Sequence, residues 1–383
     1  MVKEQDKYKL KIKFIICRKE RVLNIDLDEN KKIYLSKDDL NNHICELKEK
    51  IKFLEDKLKQ YNKEDNDNIN TNETTQKDNL YNNFDIKLKE NPIHELNYHT
   101  DYVRCLIMLK DGRMVSASDD ESIIIYNKIT FKPDLIIKEN NNYVYFITQL
   151  SSGILASCSK DKTIKLFNIN GNNYNILQTL SFHTNTVYEI IELKNKQLVS
   201  CSYDKSVIFY FKDNNEYKLD YKIQTNNYCN SVIQTKNNEI CYSEYSQNNN
   251  GKSEYNICFF DILERKQKKI INNIKGNHLL MIKDDLLLVI GYGLFIINVN
   301  QYNVIRVIEN PVSSLIYSFC LLNENTILTG DESKAIKQWK IEGDNLILIS
   351  SKENTHQNSI LSLLKLGNNL IASGSSDKTI RIW

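Results

Sequence analysis

Four short segments far apart in the chain repeat one pattern at fixed offsets. MVSASDDESIIIYN carries Ser116, Asp120 and Tyr126, and LASCSKDKTIKLFN carries Ser157, Asp161 and Phe167. LVSCSYDKSVIFYF carries Ser200, Asp204 and Tyr210, and IASGSSDKTIRIW carries Ser373, Asp377 and Trp383. In every copy Asp follows Ser by four residues and the aromatic follows Asp by six. A fixed internal period constrains the fold more than any local propensity, because it means one supersecondary unit stacked on copies of itself.

The register extends to weaker copies. An apolar residue stands thirteen before each Ser: Val103, Val144, Val187 and Ile360. The same offset links Ile316 to Thr329, ahead of Trp339, and Cys229 to Tyr242, in a copy whose turn is enlarged by SQNNNGKSEY. A seventh copy, LLLVIGYGLFIINVN, has Val289 at the Ser position and a Gly291, Tyr292, Gly293 turn in place of the Asp turn. The anchors 116, 157, 200, 242, 289, 329 and 373 are 41, 43, 42, 47, 40 and 44 residues apart. Within the copies Ile164, Leu166 and Ile169 recur with polar interruptions, and Ile380 and Ile382 flank Arg381, as strands require. Asp-Lys-Thr and Asp-Glu-Ser supply turns through Asp bonds to nearby backbone N–H groups.

This repeat resembles the WD40 repeat, whose period is ~40–45 residues per four-stranded blade. The resemblance implies an all-β fold, a seven-bladed β-propeller over residues 84–383, strong in four copies and weak in three. It adds a His four residues before the apolar anchor, giving three structural tetrads: His99, Ser116, Asp120, Tyr126; His183, Ser200, Asp204, Tyr210; and His356, Ser373, Asp377, Trp383. In the family these side chains form a hydrogen-bonded chain inside a blade. The second copy departs from the pattern, with Asn140 for His and Phe167 unable to donate. The fourth to sixth lack most of the set, so those blades are expected to rely on apolar packing and to be the least regular. Only the last copy is expected to have an indole as fourth member. That copy supplies three strands, and residues 84–96 are expected to add the fourth beside 379–383 and close the ring. His, Ser and Asp recurring at repeat spacing speak for folding roles rather than for a catalytic triad, which needs one exposed Ser beside an oxyanion site.

Composition excludes some classes. The formal net charge is only +2 over 383 residues with 26% charged, and the first 83 residues and the remainder are each close to neutral. A clustered basic footprint for nucleic acid is missing. The nine cysteines are scattered with no C-x-x-C pair and are expected to be free thiols, which suits the cytosol or nucleus. The N-terminus is charged where a signal peptide is apolar. The most lipid-like stretch, 286–299, is too short to span and reads as a blade hairpin. No phosphate-cradling, zinc-protease or dinucleotide motif is present, and no cofactor or metal is expected.

Residues 1–83 are different material. Tyr8, Leu10, Ile12 and Phe14 alternate with lysines, and Leu23, Ile25 and Leu27 alternate with polar residues, so 1–35 reads as a β-hairpin segment. A helix over 36–61 follows, capped by Ser36. Its Leu40, Ile44, Leu47, Ile51, Leu54, Leu58 and Tyr61 recur at spacings of four and three. Isoleucine at a and leucine at d favour a parallel two-stranded coiled coil, and hence a homodimer through 40–61. The alternative is a helix packed on its own hairpin. Residues 62–79 are almost purely polar, and 62–83 read as a disordered linker.

The resemblance implies a non-catalytic scaffold or adaptor whose partners are other proteins, oligomerised by the N-terminal helix. Coil-plus-propeller order is similar to the G-protein beta subunit, a dynein-regulating WD40 protein and an autophagy scaffold. The long polar linker departs from the first, and the N-terminal strands from the second. A substrate receptor of a ubiquitin ligase is the alternative, although residues 1–60 show no F-box-like helical pattern and no RING cysteines. A phosphoinositide-binding propeller would need an Arg-Arg pair, which the chain lacks. In the family the residue after the apolar anchor and the residue before the turn Asp point to the top of the central channel. Here the first set is Arg104, Tyr145, Tyr188, Asn230, Tyr317 and Leu361. The second is Asp119, Lys160, Tyr203, Tyr245, Glu332 and Ser376. Tyrosine is enriched in both, and a peptide is expected to lie across Tyr145, Tyr188 and Tyr203.

Overall fold

The structure is a computed structural model that describes residues 90–235, 238–247, 253–309, 314–367 and 370–383. The hairpin read at 1–35, the helix at 36–61, the linker at 62–83 and residues 84–89 lie outside the described residues.

Each repeat folds into a four-stranded antiparallel sheet, and seven such sheets form. Blades 1 to 6 span 103–137, 144–180, 187–224, 228–272, 276–309 and 316–352. Blade 7 combines Ile360–Lys365, Ile371–Ser375 and Ile380–Ile382 with an outer strand, His94–Leu96, from the other end of the propeller sequence. His94 pairs with Ile382, Glu95 with Arg381 and Leu96 with Ile380, and the Arg381 Nε donates to Glu95 at 3.0 Å. The ring is thus closed by backbone pairing rather than by a covalent link.

Strand chemistry follows depth. The second strand of blade 1, Met114–Ser118, and the third, Ile123–Tyr126, are buried on both faces and carry near-continuous apolar or small residues. The outermost strand of blade 3, Glu216–Gln224, alternates charged and apolar residues because one face meets water. Buried residues gather into seven clusters, each shared by two neighbouring blades. Val115, Ala117 and Ile123 of blade 1 pack with Val144, Ile147 and Phe167 of blade 2, while Met114, Ile124 and Tyr126 pack with Ile380 and Ile382 of blade 7. No blade buries both faces alone, which is why the repeat demands a ring.

The repeat register recurs in the backbone. Val103 pairs with Ser118, Val144 with Ser159, Val187 with Ser202, Cys229 with Glu244, Gly276 with Gly291, Ile316 with Asp331 and Ile360 with Ser375. A register shift follows each of these seven pairs, so the residue after every anchor sits in a β-bulge. Two residues after the anchor, side chains join adjacent blades. Ser362 Oγ accepts from Leu106 N at 2.9 Å, Ser318 Oγ donates to Ile360 O at 3.2 Å, and Glu189 accepts from Val232 N at 2.9 Å.

The fifth copy has no apolar residue at its anchor, and the reason is a close approach. A Cβ on Gly291 would lie 2.4 Å from the Lys275 carbonyl oxygen and 2.5 Å from the Gly276 Cα. Two glycines let the first and second strands meet there. The lipid-like stretch is the hairpin Leu286–Gly291 with Gly293–Asn298. Blades 5 and 6 each carry a second register shift, between Met281 and Lys283 and between Leu321 and Asn323. Blade 4 shows no such second shift in its first pairing.

Candidate functional site

The tetrads come first because they build the ends of the strands on which any surface must stand. His99 Nε2 lies 2.6 Å from Ser116 Oγ and its Nδ1 2.8 Å from Asp120, while Ser116 Oγ is 3.0 Å from the Tyr126 hydroxyl. His183 repeats this with Ser200 at 2.7 Å and Asp204 at 2.9 Å, and Tyr210 closes on Ser200 at 2.9 Å. His356 does so with Ser373 at 2.7 Å and Asp377 at 2.9 Å, and the Trp383 indole donates to Ser373 Oγ at 2.9 Å. In blade 7 the indole N–H can only donate, so Ser373 Oγ accepts from it, and the Asp377 carboxylate, which only accepts, takes its bond from His356 Nδ1–H. Burial alone would raise the Asp120, Asp204 and Asp377 pKa values, but bonds from histidine, a hydroxyl and a backbone N–H hold all three well below the usual carboxylate range.

This connectivity matches that of a Ser–His–Asp triad. Ser116, Ser200 and Ser373 are each 0% exposed and bonded to an aromatic partner, so no substrate reaches them.

Two departures correct the sequence expectation. Where blade 2 has Asn140, Ser157 Oγ donates to Asn140 Oδ1 at 3.3 Å and the Asn140 amide nitrogen is buried without a partner. A lysine enters in place of the histidine: Lys165 Nζ is 2.6 Å from Asp161. Blade 6, expected to rely on apolar packing, holds Lys337 Nζ 2.5 Å from Asp331, both almost fully buried. Its Trp339 indole donates to Thr329 Oγ1 at 2.8 Å, so the last copy is not alone in having an indole as the fourth member. Lys165 and Lys337 stand eight residues after Ser157 and Thr329, a shared position that sequence reasoning passed over.

The bulges and the turns meet at one end of the strands. The backbone N–H before the turn Asp donates to the carbonyl before the anchor: Asp119 to Tyr102, Lys160 to Tyr143 and Tyr203 to Thr186, each at 2.9 Å. Glu332 donates likewise to Leu315 and Ser376 to Ser359. A bulge re-aims the side chain it carries, so Arg104, Tyr145 and Tyr188 turn toward their neighbours across blades.

A continuous line of contacts results. Arg104 grips Asp119 with two bonds, Nε to Oδ1 at 2.9 Å and Nη2 to Oδ2 at 2.5 Å, and its guanidinium lies 5.1 Å from the Tyr145 ring centre. Tyr145 and Tyr188 are 4.8 Å apart, Tyr188 and Tyr203 4.7 Å, Tyr203 and Tyr228 4.6 Å. Lys205 Nζ then lies 5.5 Å over Tyr228, and Lys160 Nζ 4.4 Å over Tyr143. The four rings are tilted by 34–44° to one another and half-buried. Burial and then the neighbouring tyrosines push the Tyr188 hydroxyl pKa up, and burial raises that of Tyr145, so both are protonated donors at neutral pH. Burial opposes the Arg104 charge, but the bonds and charge of Asp119 raise its pKa above the ordinary value.

The other named residues join less closely. Tyr245 packs on Tyr255 at 5.1 Å, and Tyr255 on Tyr292 at 6.2 Å, a separate aromatic group on blades 4 and 5. Tyr317 is half-buried, its pKa raised by burial and then by Glu332, which is exposed. Leu361 occupies its bulge on blade 7. Asn230 and Asn277 occupy two more bulges with their Oδ1 atoms buried and unpartnered. Tyr102, Tyr143 and Tyr228 were missed: they precede the anchors as a third set, and the carbonyls of Tyr102 and Tyr143 receive the turn.

Among the described residues no three His, Cys, Asp or Glu side chains converge to hold a metal, and no helix is long and apolar enough to cross a membrane. Cys105, Cys158, Cys201, Cys229, Cys241, Cys258 and Cys320 are free and buried. No curated protein matches the chain. The family model for the WD domain, G-beta repeat, matches residues 90–127 and 350–383, the two segments that meet where the ring closes. With seven four-stranded blades around that closure, the chain carries WD40 repeats in a seven-bladed β-propeller.

Proposed function

We propose that the chain is a non-catalytic platform that docks an extended peptide segment of a partner protein, held as a dimer by its N-terminal helix. The docking face is the strand end carrying Arg104, Asp119, Tyr145, Lys160, Tyr188, Tyr203 and Tyr228, with Tyr245, Tyr317 and Glu332 farther round the ring. The observation that carries this reading is the unbroken contact of four half-buried tyrosine rings, 4.6–4.8 Å apart, ending on Arg104. Tyrosine buries a large area for two rotatable bonds and keeps a polar tip, and tyrosine and arginine dominate interface hot spots. The rings stiffen one another, so little side-chain entropy is left to lose on binding. WD40 propellers generally mediate protein–protein contacts, and this face is where the present chain concentrates the residues suited to one.

Peptides selected from a random display library against the full chain test the assignment. Tyr188→Ala and Tyr203→Ala are expected to weaken the selected peptides by about 1–2 kcal/mol or more, roughly tenfold, with little change in thermal stability. Unchanged binding, or cross-links that map to the outer strands, would remove this face from consideration.

A further inference from the structure

The charges around the tyrosine line point to the chemistry of the partner. This step rests on the docking-face reading above. The turn aspartates on blades 1 to 3 are already engaged: Asp119 by Arg104, Asp120 by His99, Asp161 by Lys165, and Asp204 by His183. Lys160, Lys162 and Lys205 on the same turns are exposed and form no ion pair among the described residues. Lys162 and Lys205 hold the same position, one residue after the turn Asp, with φ of 72° and 61°. Lys160 and Lys205 stand over tyrosine rings, a contact that positions an ammonium group without neutralising it. The exposed acids of this strand end lie off blades 2 and 3, Glu121 on the blade 1 turn and Glu332 on blade 6, and Glu139 is turned away to the Tyr174 hydroxyl at 2.7 Å.

We infer that the partner segment is acidic: an extended peptide whose Asp or Glu side chains meet Lys160, Lys162 and Lys205 while its apolar or aromatic side chains lie on Tyr145, Tyr188, Tyr203 and Tyr228. The cations are single charges spread over two blades and not a convergent cluster. They match several carboxylates along a chain better than one phosphate dianion, whose recognition calls for converging donors. Single-stranded nucleic acid fits less well. Base stacking needs open ring faces, and here the tyrosines spend theirs on each other. Uncompensated lysines of this kind speed encounter with an acidic partner and make binding salt-sensitive.

A random twelve-residue display library selected against the full chain at low salt gives the test, followed by titration of the synthetic winners. The expected winners carry net negative charge, lose at least tenfold in affinity between 50 and 300 mM salt (order-of-magnitude values for screening), and lose tenfold or more on the triple change Lys160→Glu, Lys162→Glu, Lys205→Glu. Thermal melting of that variant, altered only at exposed positions, verifies its fold. Neutral or basic winners that still depend on Tyr188 would overturn the acidic assignment and leave the docking face standing. Winners indifferent to Tyr188→Ala, or a library with no winner that depends on it, would overturn both. Tighter binding of a phosphorylated version of the winners, or of a fluorescent oligouridine, would replace the carboxylate partner with a phosphate one.

Discussion

Single residues show how the repeat tolerates the loss of its own signature. In blades 1 and 3 the residue eight after the motif serine is Ile124 or Ile208, and histidine supplies the donor to the turn aspartate. In blade 2 the histidine is Asn140 and the eighth position is Lys165, whose ammonium bonds Asp161 and Thr163 Oγ1. Each solution delivers one strong donor to the turn carboxylate. Lys165→Ile should therefore cost about 2–3 kcal/mol, below the ~3–5 of a wholly abandoned buried charge because Thr163 and the Asn141 N–H still bond Asp161. Adding Asn140→His should recover much of that loss, and denaturant titration of both variants checks it. An additive double variant would mean that the lysine is not standing in for histidine. The sequence alone did not reveal this exchange. One lysine in a strand reads as a solvated alternation position, and only the fold shows Lys165 turned inward. The histidine tetrads were legible down to their members, because four side chains that must meet impose three fixed offsets.

Blades are joined through the residue two after the anchor at Cys105, Glu189, Ser318 and Ser362, and here one blade differs in kind. Most of these links use a hydroxyl or thiol, but blade 3 uses the Glu189 carboxylate against Val232 N. Burial pushes the Glu189 pKa up to about 7, with bonds from Ser231 and Val232 opposing the shift. Its pKa in the unfolded chain is the ordinary one near 4.3. Between those values the folded state holds the proton and the unfolded state does not, so stability falls as pH rises through that window and levels off above it. The tetrad aspartates have the opposite sign. Their folded pKa values are depressed, so their contribution is full above about pH 4 and is lost as pH falls further. His278 opposes Glu189: burial lowers its folded pKa to about 4, below the ordinary value near 6.5, so its contribution rises with pH between those values. The two trends largely offset each other, and Glu189→Gln, which removes the falling one alone, should make stability rise more steeply toward neutrality while leaving the acid limb unchanged. Melting temperatures across pH 3–8 for both proteins decide it, and parallel curves for the two would show that Glu189 does not carry the falling trend. At this scale the anchors were readable wherever they were apolar. Gly276 was not, because its role is a backbone approach to Gly291 that no hydrophobic pattern records. The bulge after each anchor was equally hidden: a bulge is a property of pairing, not of one strand.

At the scale of the whole molecule, the question is what holds a ring of near-independent blades shut. Six blades are hairpin meanders whose four strands are consecutive, with short sequence separations inside each sheet. The seventh depends on three residues, His94, Glu95 and Leu96, pairing with Ile380, Arg381 and Ile382 across nearly the whole sequence. Ile93 N adds a bond to Ile382 O at 2.7 Å, and Leu96 enters the cluster shared by blades 7 and 1 with Val103, Ile380 and Ile382. Without this strand, Ile380–Ile382 becomes an open edge and one of the seven clusters loses a wall. A fragment of residues 84–383 should then melt as a compact monomer, whereas 98–383 should melt lower and associate through the exposed edge. The same pair reports on the N-terminal segment. With Ile44, Ile51 and Leu58 lining a parallel seam, the full chain should scatter light as a dimer and 84–383 as a monomer. A full chain that stays monomeric at high concentration would turn that stripe into an intramolecular packing face. Equal melting of the two fragments would show that the outer strand is dispensable. Ring closure would then have to be carried by the interlocked clusters on either side of blade 7 rather than by its fourth strand.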